Sequence, residues 1–270
     1  MKPLKISFII LILTGIISCK KKETQEFTDS PIIESYLEPG ALFSIQITRQ
    51  IPFSSDVTYS SDDIDHLTIS VSYSNTTHIL NAAGNGKYID SSITVSAGTY
   101  YTISFNYNKK AVSAYTYIPQ KPQSVTQSAT TYTITRFVAG SGVPSGGFSQ
   151  PTPLTITWAN SDNSYYLVVV ENMEATLDPI RDFGSNAPPG NRFKKTPTNA
   201  ANIEIRAQEF QYYGTHRIII YHVLPDYASL YESTSTSSQN LTNPSTSIIN
   251  GYGIFTGLNS DTLYVEVQEP

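Results

Sequence analysis

The chain has 270 residues, with 17 Lys and Arg against 22 Asp and Glu, a formal charge of −5, and a single cysteine. An acidic balance argues against a nucleic-acid partner, which calls for a basic face, and one Cys excludes an intrachain disulfide or a Cys-pair metal site. Nineteen Tyr against one Trp mean that any aromatic surface is mostly tyrosine.

Met1-Lys2-Pro3-Leu4-Lys5 leads into an apolar run from Ile6 to Ile17 and then Ser18-Cys19. A basic start, a short apolar stretch and a small residue before the cut predict a secretory signal peptide over residues 1–18. The run falls short of the ~20 residues that span a bilayer as a helix. Ile16-Ile17-Ser18-Cys19 resembles a bacterial lipobox, which predicts acylation of Cys19; an ordinary signal peptide with an incidental Cys is the other reading. Acyl chains contribute about 0.8 kcal/mol per buried CH₂, so several chains on Cys19 would hold the protein on a membrane. Residues 19–29 read as a tether, with Lys20-Lys21-Lys22 a solvated cluster beside anionic headgroups.

From Thr28 onward, Ser, Thr, Tyr, Ile and Val dominate, a composition that favours strands. Ile32–Leu37 runs to the turn pair Pro39-Gly40, and Phe43, Ile45 and Ile47 alternate in Leu42–Arg49. Leu67, Ile69, Val71 and Tyr73 share one strand face in His66–Tyr73. Thr77–Leu80 and Lys87–Ile89 flank Gly84-Asn85-Gly86. Tyr101, Ile103, Phe105 and Tyr107 alternate in Tyr100–Tyr107, and Ala111–Ile118 closes the set. About seven strands with turns at such spacing predict an antiparallel sandwich over residues 30–121, with "IPQKPQ" as an interdomain link.

Residues 122–270 repeat the style less regularly. Strands are predicted at Tyr132–Phe137, Leu154–Trp158, Tyr165–Glu171, Ile203–Phe210, His216–Val223 and Thr262–Val267. Trp158 alternates with Ile156 and Leu154, as core filler or as a ligand-stacking ring. Tyr227, Leu230 and Tyr231 give the one clear helical spacing. "NGYGIFTG", Asn250–Gly257, reads as a turn that seals the second domain, or as a ligand contact.

The motifs taken together are familiar. "PIIESYLEPGALFSIQITRQIPF" follows the lipobox; "GKYIDSSITVSAGTYYTISFNYNKKAVSAYTYIPQKP" and "NPSTSIINGYGIFTG" come later, in an order that covers nearly the whole mature chain. This resembles the Bacteroidota lipoproteins of domain-of-unknown-function family 4249. The resemblance implies an all-β protein of two β-sandwich domains, the first immunoglobulin- or transthyretin-like, the second fibronectin-type-III-like with insertions and one short helix. It also implies an outer-membrane lipoprotein, surface-exposed in preference to periplasmic, that is the accessory partner of a TonB-dependent receptor in nutrient uptake. It supplies no catalytic residues. The segment "KKKETQE" is more basic than the family's usual post-Cys stretch.

Signals for chemistry are weak. Asp62, Asp63 and Asp65 read as a solvated acidic loop, or as Ca²⁺ oxygens without the glycine and distal Glu of a calcium loop. His216 and His222 share a strand face but lie ~20 Å apart, too far for one metal. No Gly-x-Ser-x-Gly elbow, phosphate loop or dinucleotide fingerprint is present, so no enzyme activity and no cofactor is expected.

The long segment Asn172–Asn199 is the candidate for recognition, with Arg181, Asp182, Phe183, Arg192 and Phe193 mixing charge and aromatic surface as binding hot spots do. An insertion with no partner is the alternative. Tyr212-Tyr213-Gly214 is a second candidate, equally a hairpin turn, and Asp261-Thr262-Leu263 resembles a Bacteroidota O-glycosylation acceptor. Two other functions remain open: a fimbrillin-like structural or adhesive protein assembled by a donated strand, and a carbohydrate-binding module built on tyrosines.

Overall fold

The computed structural model describes residues 29–51, 60–136, 151–181, 189–232 and 246–270. Cys19 and the rest of residues 1–28 lie outside them, as do Asp182 and Phe183. Among the described residues no helix is long and apolar enough to cross a membrane.

The chain is all-β, as its composition predicts. In the first half, β1 (Pro31–Leu37), β2 (Leu42–Arg49), β5 (Asn81–Gly84) and β6 (Lys87–Thr94) form one layer, in the order β1-β2-β6-β5. The facing layer has the order β4-β3-β7-β8, from β3 (Ser70–Tyr73), β4 (Thr76–Ile79), β7 (Tyr100–Tyr107) and β8 (Lys110–Tyr117). Side chains alternate across a strand, so Tyr101, Ile103, Phe105 and Tyr107 meet Phe43, Ile45 and Ile47 in a shared core. The predicted strand His66–Tyr73 is shorter than expected. Residues 62–65 instead form a one-turn helix, α1 (Asp62–Asp65), and pairing begins at Ser70.

α1 also settles the acidic cluster. The Asp65 carboxylate accepts the backbone N–H groups of Asn85 and Gly86, and Asp63 lies 3.2 Å from Arg49. These carboxylates cap a turn and an Arg, and among the described residues no group of three or more His, Cys, Asp or Glu is placed to hold a metal ion.

The second half has the sheet order β14-β12-β16-β17 on one side, from β12 (Tyr165–Asn172), β14 (Arg192–Lys194), β16 (Tyr212–Val223) and β17 (Tyr252–Gln268). Two short strands add to it: β10 (Thr131–Thr133) along β17 and β13 (Asp178–Pro179) along β16. Opposite lie β9 (Thr126–Gln127), β11 (Leu154–Thr157) and β15 (Asn202–Ile205), in the order β15-β11-β9. Between the layers Leu154, Ile156, Val168, Val170, Ile218 and Ile220 form the second core. Trp158 is buried there, its ring 5.1 Å from Tyr166, so it is filler and not a stacking platform.

Three sequence expectations need correction. Ile203–Phe210 is not one strand: β15 stops at Ile205 and a 3₁₀ turn, Ala207–Glu209, tucks Phe210 into the core. Tyr212-Tyr213-Gly214 is no hairpin turn but the start of β16, with both tyrosines buried. "NGYGIFTG" is no sealing turn of the second domain. It begins the 17-residue β17, whose first part, Tyr252–Gly257, pairs in parallel with β1. Ile248 and Phe255 are buried in the first core, so the boundary at 121/122 does not hold for the returning chain.

β17 then continues antiparallel to β16 through Leu258–Val267, which fuses both halves into one ten-stranded sheet. Two residues of the proline-flanked link, Pro119 and Pro122, are buried. The Pro119 carbonyl accepts from Asn259, the Gln120 carbonyl lies 2.9 Å from His222 Nδ1, and Lys121 Nζ is 2.9 Å from Asp261. The link is thus pinned to β16 and β17 and is not a loose hinge. Thr262, in the glycosylation-like triplet, is half-buried in the middle of β17.

Candidate functional site

β12 reads Tyr-Tyr-Leu-Val-Val-Val-Glu-Asn, a near-continuous apolar run buried on both faces. Val168 and Val170 point into the second core, which leaves Leu167 and Val169 on the far side of the sheet. Ile219, Tyr221 and Val223 of β16 and Leu258 of β17 join them there as a second, outward apolar layer. Helix α2 (Pro225–Glu232) covers one side of it, as the Tyr227, Leu230, Tyr231 spacing predicts. Asp226 anchors the helix: its Oδ1 accepts the Tyr227 N–H and the Thr256 hydroxyl, and burial raises its pKa.

What stays open of this layer is a groove of about 690 Å³. Among the described residues its floor is Leu167, Val169, Val223 and Leu258. Tyr36, Tyr221 and Tyr227 supply hydroxyls and ring edges; Tyr36 meets Tyr227 edge-on at 6.0 Å, and the Tyr227 and Tyr231 hydroxyls are 3.4 Å apart. Arg192 and Lys194 of β14 stand at one end and Glu38, just past β1, at the other. Lys194 Nζ lies 5.1 Å from the Tyr231 ring centre, within cation–π range. A shallower concavity lined by Glu34, Ser44, Gln46 and Lys87 continues from Tyr36 across β2 and β6.

The electrostatics follow the geometry. Burial raises the Tyr221 pKa, the Glu38 carboxylate pushes it further, and Arg192 pulls the other way. Burial also raises Glu38 itself. Tyr227 is pushed well above the usual phenol value by burial and by its bond to Tyr231. Burial opposes ionisation of Tyr231 too, but hydrogen bonds with Tyr227 and Lys194 outweigh it and leave Tyr231 lowered.

The recognition residues read from the sequence are split by this arrangement. Asn172–Asn199 is not wholly irregular, since β13 and β14 add strands to the sheet from within it. Arg192 and Phe193 both line the groove, and Phe193 also packs, partly buried, against the second core, edge-on to Phe210 at 6.2 Å. Arg181 reaches the Gln208 carbonyl at 3.4 Å, on the 3₁₀ turn. Sequence reading missed Tyr36, Glu38 and Tyr221. For Tyr36 the alternation of Ile33 and Leu37 inward was the available signal.

His216 and His222 share the core-facing side of β16, as their even spacing predicts: His222 stacks on Tyr166 and His216 meets Phe210. His216 is buried, its Nδ1 2.9 Å from the Gly214 carbonyl and its Nε2 3.3 Å from Asn172 Nδ2, a pattern that suits the neutral ring. Burial lowers its pKa, while the Gly214 carbonyl, Glu266 and Glu174 oppose that shift. The folded state therefore resists the proton that the unfolded state takes up readily. Stability is expected to fall as pH drops through the ordinary imidazole value of about 6.5, with no effect of this group above it. In urea titrations between pH 8 and pH 5, His216→Gln should flatten that slope; an unchanged slope would place the acid sensitivity elsewhere.

No protein-family description and no curated sequence matches this chain. Among solved structures 29 chains match, one of them domains A168–A170 of titin. That match has 8% identity, covers 88% of this chain and 66% of the titin chain, and superposes with a TM-score of 0.21. The class rests on the sheets and cores themselves: an all-β protein of β-sandwiches.

Proposed function

We propose that this protein is a non-catalytic binding protein, held on the outer membrane through acylated Cys19, that presents the tyrosine groove to a TonB-dependent receptor or to that receptor's cargo. The observation that carries the reading is the groove: apolar floor, tyrosine walls and opposite charges at its ends, the composition of sites that bind by surface complementarity. A lipid anchor raises the effective concentration of such a groove beside any membrane partner.

Two observations weigh against the other readings. Strand donation needs an unpaired strand near a terminus, whereas among the described residues the first strand, β1, lies between β2 and β17, and the last, β17, pairs along its length with β1, then β16, and with β10 at its end. A sugar platform needs parallel rings, and the exposed Tyr100 on the opposite layer meets the half-buried Tyr117 at a tilt of 46°.

The test is an affinity pull-down of tagged, lipidated protein from gently solubilised outer membranes. One TonB-dependent receptor at near-equal amount is expected with the wild type, and its loss with the double variant Tyr36→Ser, Arg192→Glu, both at exposed positions. Recovery of nothing but the protein itself, as ladders, would replace this reading with a structural role.

A further inference from the structure

We propose that the groove takes a short zwitterionic peptide of about five residues, its carboxylate end at Arg192 and Lys194 and its amino end at Glu38. The inference rests on the groove being the binding site and assigns its ligand class.

The first argument is charge. Neither Arg192 nor Glu38 makes an ion pair among the described residues, whereas Glu171 on the same face pairs with Arg217. Arg192 and Glu38 act on the same Tyr221 hydroxyl with opposite sign, and β14 and β1 lie on opposite sides of β16 in the sheet. A groove with a cationic end and an anionic end matches a ligand carrying both charges. A polyanion would be repelled at Glu38, and a neutral glycan would leave both ends unpaired as water is expelled.

The second argument is length. From β14 to β1 the order is β14-β12-β16-β17-β1. Four strand spacings of about 4.8 Å give roughly 19 Å across the strands. The register sets Lys194 level with Thr262 and Glu38 beside Leu258, roughly 13 Å apart along the strands, so the backbones at the two ends lie about 23 Å apart. An extended chain advances about 3.3–3.6 Å per residue, so about five residues cover about 17 Å and the long Lys194 and Glu38 side chains close the rest. The groove volume, about 690 Å³, lies within the range of ligand-sized sites.

The third argument is the shape of the aromatic wall. Tyr36 and Tyr227 meet at 81°, and Tyr227 and Tyr231 at 48°. Rings set at such angles offer edges and hydroxyls, not the flat faces on which sugar rings stack. With Leu167, Val169 and Leu258 beneath, they suit apolar or aromatic side chains whose backbone amides reach the tyrosine hydroxyls.

The probe is a degenerate library of pentapeptides with free termini, incubated with the purified protein and read by mass spectrometry. N-acetylated, C-amidated and dipeptide libraries and maltopentaose run beside it. Enrichment of free-ended pentapeptides is expected, weakened roughly five- to tenfold by blocking either end. Arg192→Gln, which leaves Lys194 in place, should weaken the dependence on the carboxylate and keep the dependence on the amine, and Glu38→Gln should remove the dependence on the amine alone. Enrichment indifferent to both blocks, or binding of maltopentaose alone, overturns the inference. If no peptide binds while receptor capture still depends on Tyr36 and Arg192, the inference fails and the groove reading stands. If neither depends on the groove, both fall.

Discussion

Gly253→Ala is expected to unfold the protein at a markedly lower urea concentration, with a loss of at least about 3 kcal/mol. Gly253 has φ +99°, a conformation that L side chains rarely adopt, and it sits opposite Ile33 in the parallel β1–β17 pair. A methyl group there would lie 2.0 Å from the Ile33 carbonyl oxygen and 3.0 Å from its nitrogen. Backbone cannot retreat from that contact without breaking the pairing of β1 with β17. Gly190, with no atom within 4 Å of an added Cβ, is the control: Gly190→Ala should stay within about 0.5 kcal/mol of wild type. Equal midpoints for the two variants would show that β1 and β17 do not pair at this register.

Phe255→Ala should cost about 3–5 kcal/mol, the range for truncating a fully buried aromatic side chain. Phe255 is fully buried in the first core, edge-on to Phe43 at 6.3 Å, and Phe43 in turn packs on Tyr101. The same strand, three residues on, enters the second sheet against β16. A cavity in the first sandwich should therefore weaken the second. The single tryptophan, Trp158, reports on the second core alone. Its fluorescence midpoint is expected to move with the far-UV circular dichroism midpoint in this variant. If the dichroism falls while Trp158 stays buried, the two sandwiches unfold independently and the shared strand does not couple them.

The inward faces of β2 and β7 were legible because alternation is a local property: Phe43, Ile45 and Ile47, or Tyr101, Ile103, Phe105 and Tyr107, can bury only one side of a strand. Trp158 and the helix after Pro225 were legible for the same reason. The groove was not. Arg192 and Phe193 were picked out by their composition and both line it, but the tyrosines and the apolar floor that complete it come from strands far away in the chain. β12 carries apolar residues on both faces, so nothing in its pattern says which side meets the core and which a groove.

What the sequence by itself determined is the class: strands by composition and period, no disulfides, and the identity of the buried faces. What only the tertiary structure decided is the pairing of segments far apart in the chain. Tyr252–Gly257 joins β1, more than two hundred residues earlier. That pairing carries the late chain back into the first core and brings Glu38 and Tyr36 to the same face as Arg192. Local periodicity records which face of a strand is apolar, but not which strand it will lie beside. Partner choice is set by hydrogen bonding and shape at long range, here by Gly253, which lets the Ile33 backbone of β1 approach, and by Gly257, which does the same for the Tyr117 backbone of β8, where a side chain would hold them apart.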